Sequence, residues 1–233
     1  MDHETSVLEK AIVDYIEEYK ATDDQKTTPS MPVLLIVGSI VIGSLFVDLT
    51  LSSHITIFTA IAVLAILALL AFYAYKTITK NLKLEKLANI IIDNIDDAVK
   101  VWQSGYYLES NGMVLNPQMF RIASSNTEVK IIKQENEYKY KISLYSYKYQ
   151  IFLEFTPSGT EFNLDIIRYD GKRFSMFLKN RELNIYNEED FVPKDIEEEL
   201  LELYNKIYES SEKNLKEIIQ TLRNIMKKLY SIK

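Results

Sequence analysis

Two apolar stretches with almost nothing between them, Pro32–Val47 and Ile55–Tyr75, constrain this chain more than any other feature. The second carries no charge over a length that gives roughly 31 Å of helix, against a hydrocarbon core of roughly 30 Å. Leu49 and Leu51 extend the first, and only Ser52, Ser53 and His54 then intervene. The pattern predicts a two-helix transmembrane hairpin over 32–75, with both chain ends on one side.

Lysine asymmetry orients that hairpin. The short loop has no Lys or Arg, whereas Lys76, Lys80, Lys83 and Lys86 follow the second stretch. Basic flanks mark the inner side, which predicts an integral protein of the plasma or inner membrane with both termini cytoplasmic. Asp48, Tyr73, Tyr75, Lys76, Lys80 and Lys83 are the expected interface anchors, and membrane lipids the expected surroundings. Ser39 and Gly43 in the first stretch, and Ala60 and Ala68 in the second, are small enough for close helix packing. A cleaved leader is not expected, because the first apolar run starts late and a second follows at once.

The polar segment 1–31 holds Lys10, Lys20 and Lys26 against eight acids, and Asp48 adds one more. Of 27 basic and 33 acidic residues, 27 − 3 = 24 and 33 − 9 = 24 remain in 76–233, so that part is neutral. A broad basic field, the footprint of nucleic-acid binding, is missing, and no nucleic-acid partner is expected. Within 1–31, Leu8, Ala11, Ile12, Tyr15, Ile16 and Tyr19 form one apolar stripe, so a short amphipathic helix over about 6–20 is predicted. Ser6 and Glu9 have capping-box spacing at its start.

After the hairpin, Leu84, Leu87, Ile91, Ile95, Ala98 and Trp102 keep helical spacing as far as Gly105. This predicts a stalk helix over 76–104 that continues the second span. Residues 105–192 change to period two. Tyr138, Tyr140, Ile142 and Leu144 alternate with polar residues, and the phase flips after Tyr145 into Tyr147, Tyr149, Ile151, Leu153 and Phe155. The flip is either a hairpin at Tyr145–Ser146 or a bulge. Pro157–Gly159 and Asp170–Gly171 are turn signals, and the expected object is an antiparallel meander of five to seven strands. From Pro193 the chain reads as helix to its end, over 193–233, with a register break at Ser210–Asn214 that is either a stutter in one long helix or the junction of two helices near Ser210. Leu215, Ile218, Leu222, Ile225 and Leu229 repeat at heptad-like spacing, either packing on the sheet or stalk or forming a partner surface. In order of elements, a membrane hairpin followed by a meander and a closing helix resembles the bacterial pleckstrin-homology-like membrane proteins.

Catalytic chemistry is sparse. Cysteine is absent, and the two histidines are His3 and His54, outside 76–233. Histidine-based triads and His- or Cys-ligated metal sites cannot be built there. The glycines are isolated, so no phosphate loop is expected. Asp96–Asp97 and Glu188–Asp190 are carboxylate pairs, read as solvated surface rather than catalytic dyads. The Tyr/Lys interleaving over Tyr138–Tyr149 is read as plain sheet before a stacking platform. The expected architecture is therefore an α+β membrane protein: a transmembrane hairpin, a helical stalk, and a cytoplasmic antiparallel meander closed by a long C-terminal helix. The expected function is a membrane-anchored, non-enzymatic adaptor or scaffold presenting that domain to protein partners, as an oligomer. No catalytic residue, metal, cofactor or small-molecule substrate is expected. The alternatives are a small oligomeric channel or pore-forming effector, and a carboxylate-dependent enzyme, which would need a pocket of converging acids.

Overall fold

The computed structural model describes residues 3–23, 56–104, 118–209 and 214–231, with side chains placed over 8–18 in the first stretch and from Leu67 in the second. Three helices come first: α1 (His3–Asp23), α2 (Thr56–Asp93) and α3 (Ile95–Ser104). Seven strands follow: β1 (Met119–Ala123), β2 (Thr127–Lys133), β3 (Tyr138–Tyr145), β4 (Tyr149–Phe155), β5 (Phe162–Arg168), β6 (Arg173–Lys179) and β7 (Glu182–Asn187). A 3-10 turn at Glu188–Asp190 leads to α4 (Lys194–Glu209) and α5 (Leu215–Ser231). The chain divides into two compact units, Met1–Ile12 with Leu87–Lys233, and Val13–Lys86.

The membrane hairpin is corrected. Among the described residues no helix is long and apolar enough to cross a membrane. On α2 the apolar run ends at Tyr75, and Lys76, Lys80 and Lys83 follow it. Pro32–Val47, Ser39, Gly43, Asp48 and the loop Ser52–His54 lie outside the described residues. α1 starts at His3, before Ser6, so Ser6 and Glu9 sit inside the helix rather than capping it.

The expected stalk helix over 76–104 is interrupted. α2 stops at Asp93, and Asn94 makes the break. The Asn94 side-chain amide donates to the Ile90 carbonyl at 2.9 Å, while the Asn94 main-chain carbonyl accepts from the Ala98 N–H at 3.0 Å. One residue thus closes the last turn of α2 and opens α3. Ile91, Ile92, Ile95, Ala98 and Trp102 are buried, so the end of the expected stalk belongs to the core of the sheet unit.

The sheet is a complete antiparallel meander in the order β1 to β7. Period-two alternation decides its two faces. Val129, Ile142, Leu153, Leu164 and Met176 are each at most 1 % exposed and pack on the helical side. α5 crosses β3 and β4 and touches both α3 and α4. Trp102 of α3 meets Phe120 and Tyr138, at 5.9 and 5.7 Å between ring centroids, and Tyr204 of α4 meets Phe162 edge-on at 4.9 Å. Every member of the heptad-like row from Leu215 to Leu229 is buried in this layer.

Each hairpin shows its turn chemistry. The phase flip after Tyr145 is a hairpin, with Tyr145 opposite Gln150 and Tyr147–Lys148 at its tip. No Gly, Asn or Asp is needed there because the Ser146 hydroxyl does the work of the turn. It donates to the Tyr149 carbonyl at 2.6 Å and accepts from the Tyr149 N–H at 3.0 Å. At β5–β6, the Gly171 N–H bonds the Arg168 carbonyl at 2.9 Å and Gly171 takes φ +91°, a type I turn followed by a glycine bulge. At β6–β7, Asn180 and Arg181 both have positive φ, as a two-residue type I′ turn requires.

Candidate interaction surface

The face of the sheet away from α5 carries the alternate residues, and the register lines them up. One row runs Ser143, Phe152, Asp165, Ser175, Tyr186 across β3 to β7. The next runs Lys141, Glu154, Asn163, Phe177, Asn184. Most of these side chains are half-buried or exposed, but Asp165 is 7 % and Ser175 6 % exposed. A buried carboxylate on such a face needs partners, and Asp165 has several. Its Oδ1 accepts from Arg173 Nε at 2.9 Å, Arg173 Nη2 at 2.7 Å and Ser175 Oγ at 2.6 Å. Its Oδ2 accepts from Asn163 Nδ2 at 3.2 Å. The Arg173 side chain is still 53 % exposed, so a fixed anion holds an accessible guanidinium in one orientation.

Around it lies a groove of about 680 Å³, walled by Phe177, Tyr186, Asn163 and Glu154 with Arg173 and Ser175 in its lining. That volume falls in the usual range for binding clefts. Glu154 pairs with Lys139 and, at 2.6 Å, with Lys141, and Lys139 reaches Glu161 at 2.5 Å. Burial alone would raise the Glu154 carboxyl, but the hydrogen bonds and charges of the two lysines outweigh it and hold it below its ordinary 4.5. Hydrogen bonds from Glu154 and then Glu161 push the Lys139 ammonium above 10.5. Three acids do converge here, yet each is tied to a cation. A carboxylate held ionised suits recognition better than proton transfer near neutral pH. Among the described residues no group of three or more His, Cys, Asp or Glu could hold a metal ion.

The residues singled out from sequence fall elsewhere. Tyr73, Lys76, Lys80 and Lys83 line a separate hollow of about 530 Å³ on α2, with Glu18. Lys83 Nζ contacts Glu18 Oε1 at 2.5 Å, and Tyr75 is 67 % exposed. Ala68 is exposed on the same helix, and the side chain of Ala60 is not among those described. Leu215, Ile218, Leu222, Ile225 and Leu229 are 0–4 % exposed, which corrects their reading as a partner surface. Of the Tyr/Lys stretch, Tyr140 lies flat on Phe155 at 5.1 Å and Tyr149 stands edge-on to Tyr230 at 5.6 Å, so their rings are engaged in the core. Asp96 is not half of a dyad. Its carboxylate accepts from the N–H groups of Leu215, at 2.7 Å, and Lys216, at 3.2 Å, and so caps α5. Glu188 accepts from the Arg173 N–H at 3.0 Å, and Glu189 pairs with Lys172.

Asp165, Arg173, Ser175 and Asn163 went unnoticed in the sequence. Their signal was the Asp170–Gly171 turn, which sets the β5–β6 register and so puts Asp165 opposite Ser175. Compared with known proteins, the chain matches no family model, no curated protein and no solved structure, and the likeness in element order gains no support from them.

Proposed function

We propose that the sheet unit is a non-enzymatic adaptor that receives a protein partner on the open face of β4 to β7. The observation that carries this reading is Arg173, fixed by buried Asp165 at the edge of a groove with Phe177 and Tyr186 as apolar walls. Arginine and tyrosine in a partly desolvated cleft are the residue types that dominate binding energy at protein interfaces. The ion pairs of Glu154, Glu161 and Asp165 in the groove favour recognition over catalysis.

A photoreactive phenylalanine analogue placed at Phe177 or Tyr186 of the full chain tests it in cells. A discrete protein adduct at those positions is expected, absent when the analogue replaces Glu197 on α4 and lost when Arg173→Ala is added. No adduct at either groove position, or one that ignores Arg173→Ala, refutes the reading.

A further inference from the structure

We propose that β7 is a self-pairing edge, where a second copy of this chain adds its own β7 antiparallel about a two-fold axis at Asn184. This goes beyond the groove reading and rests on the backbone edge and turns of β7, sharing only Tyr186 with the groove wall.

β7 ends the sheet, so its outer row of backbone N–H and C=O groups has no strand partner among the described residues. Natural edges are usually blunted by proline, lysine or a bulge. β7 has neither residue, and its register with β6 runs unbroken from Phe174–Asn187 to Lys179–Glu182. Ile185 is 39 % and Tyr186 55 % exposed on this short strand.

The register follows from which residues share a face. Opposed residues of an antiparallel pair point to the same side, so the axis must fall on a residue rather than between two. An axis at Ile185 would set Leu183 against the polar Asn187. An axis at Asn184 sets Leu183 against the copy's Ile185, twice, on the helical side of both sheets. It also sets Glu182 beside the copy's Tyr186 and opposes no like charges.

Charge complementarity selects the same axis. The basic turn Lys179–Asn180–Arg181 precedes β7, and the acidic turn Glu188–Glu189–Asp190 follows it. Residues 180 and 188 are equally far from Asn184, so the two-fold brings each basic turn against the copy's acidic turn, where Glu189 stays 67 % exposed while it pairs with Lys172 of its own chain. Such a contact is isologous and closes on itself, which stops the chain from forming fibres. Pairing over five residues is small for an interface, so a reversible dimer is expected rather than an obligate one.

Sedimentation equilibrium of the full chain tests this. A concentration-dependent dimer is expected, weakened about tenfold by Arg181→Glu at two exposed pairs. The double variant Arg181→Glu with Glu189→Arg should restore it. Because the chain has no cysteine, Asn184→Cys alone should form a disulfide-linked dimer under mild oxidation, whereas Gln150→Cys on β4 should not. Circular dichroism melting of each variant separates loss of pairing from loss of fold. A monomer at every concentration overturns the proposal. So does a dimer that Arg181→Glu leaves intact and Asn184→Cys fails to cross-link. Neither outcome bears on the Arg173–Asp165 pair, and the cross-link at Phe177 reports the groove separately.

Discussion

Gly159 and Gly171 share the left-handed backbone region, at φ +79° and +91°, but differ in what a side chain would meet. At Gly171 an added Cβ finds nothing within 4 Å. At Gly159 it would lie 2.2 Å from Cε1 of Tyr208. That ring is not free to swing, because it packs on Tyr204 at 4.6 Å and its hydroxyl donates to the Glu161 carbonyl at 3.4 Å. Burial, and then the charge of Tyr204, also push the Tyr208 phenol up to about 12. Gly171→Ala should therefore cost only the backbone, about 1–2 kcal/mol. Gly159→Ala should cost about 1 kcal/mol or more beyond that, because the ring must move. Urea unfolding of the two variants checks the difference, and equal losses would mean that Tyr208 yields freely. Arg181 poses the opposite case, a long side chain at φ +68° in a turn that favours glycine. Arg181→Gly should stabilise by about 0.5–1 kcal/mol, the relief of strain less the added freedom of the unfolded chain.

At the scale of elements, α5 is started by two residues from different parts of the chain. Asn214 caps it locally, with Oδ1 accepting from the Glu217 N–H at 2.9 Å, and Asp96 caps it from 119 residues away. Asn214→Ala should cost about 1 kcal/mol and Asp96→Ala about 1–2 kcal/mol, since the carboxylate also meets the positive end of the helix. The two share one helix end, so the double variant should fall short of the sum in thermal or urea unfolding. This division explains what the sequence disclosed. Local periodicity and turn residues made the meander legible, whereas the register break at Ser210–Asn214 fitted one stuttering helix as well as the two that form. The hairpin at Ser146 stayed ambiguous because its turn is held by a side-chain hydroxyl and not by a backbone-permissive residue. Asp96 was misread as surface because a cap across the fold has no spacing rule. Asn94 was passed over because a single polar residue within an apolar period leaves that period intact.

Over the whole sheet unit, alternation put apolar side chains beneath the helices and left a second face whose polar residues had to satisfy one another. The site on that face was only partly legible. Composition, the absence of Cys and the absence of His from residues 76–233 bore on catalysis, but Asp165, Arg173 and Ser175 meet only once strand register is known. The ion pairs that keep this face neutral should set its pH dependence. The Glu154 carboxyl is lower in the fold than its ordinary 4.5, so its contribution is present above pH 4.5 and is lost as pH falls through the folded value. Lys139 is higher than 10.5, so its contribution is present below pH 10.5 and is lost as pH rises through the folded value. Asp170 adds a separate acid-side loss between its ordinary 3.8 and about 2, because two hydrogen bonds from Arg168 stabilise its anion. Glu154→Gln should flatten the acid limb just below 4.5, leave the Asp170 loss at lower pH, and shallow the alkaline limb because Lys139 keeps only Glu161 as a carboxylate partner. Urea midpoints against pH for the parent and the variant read all three, and parallel curves would show that solvent screens the Lys139–Glu154–Lys141 bridge to nothing.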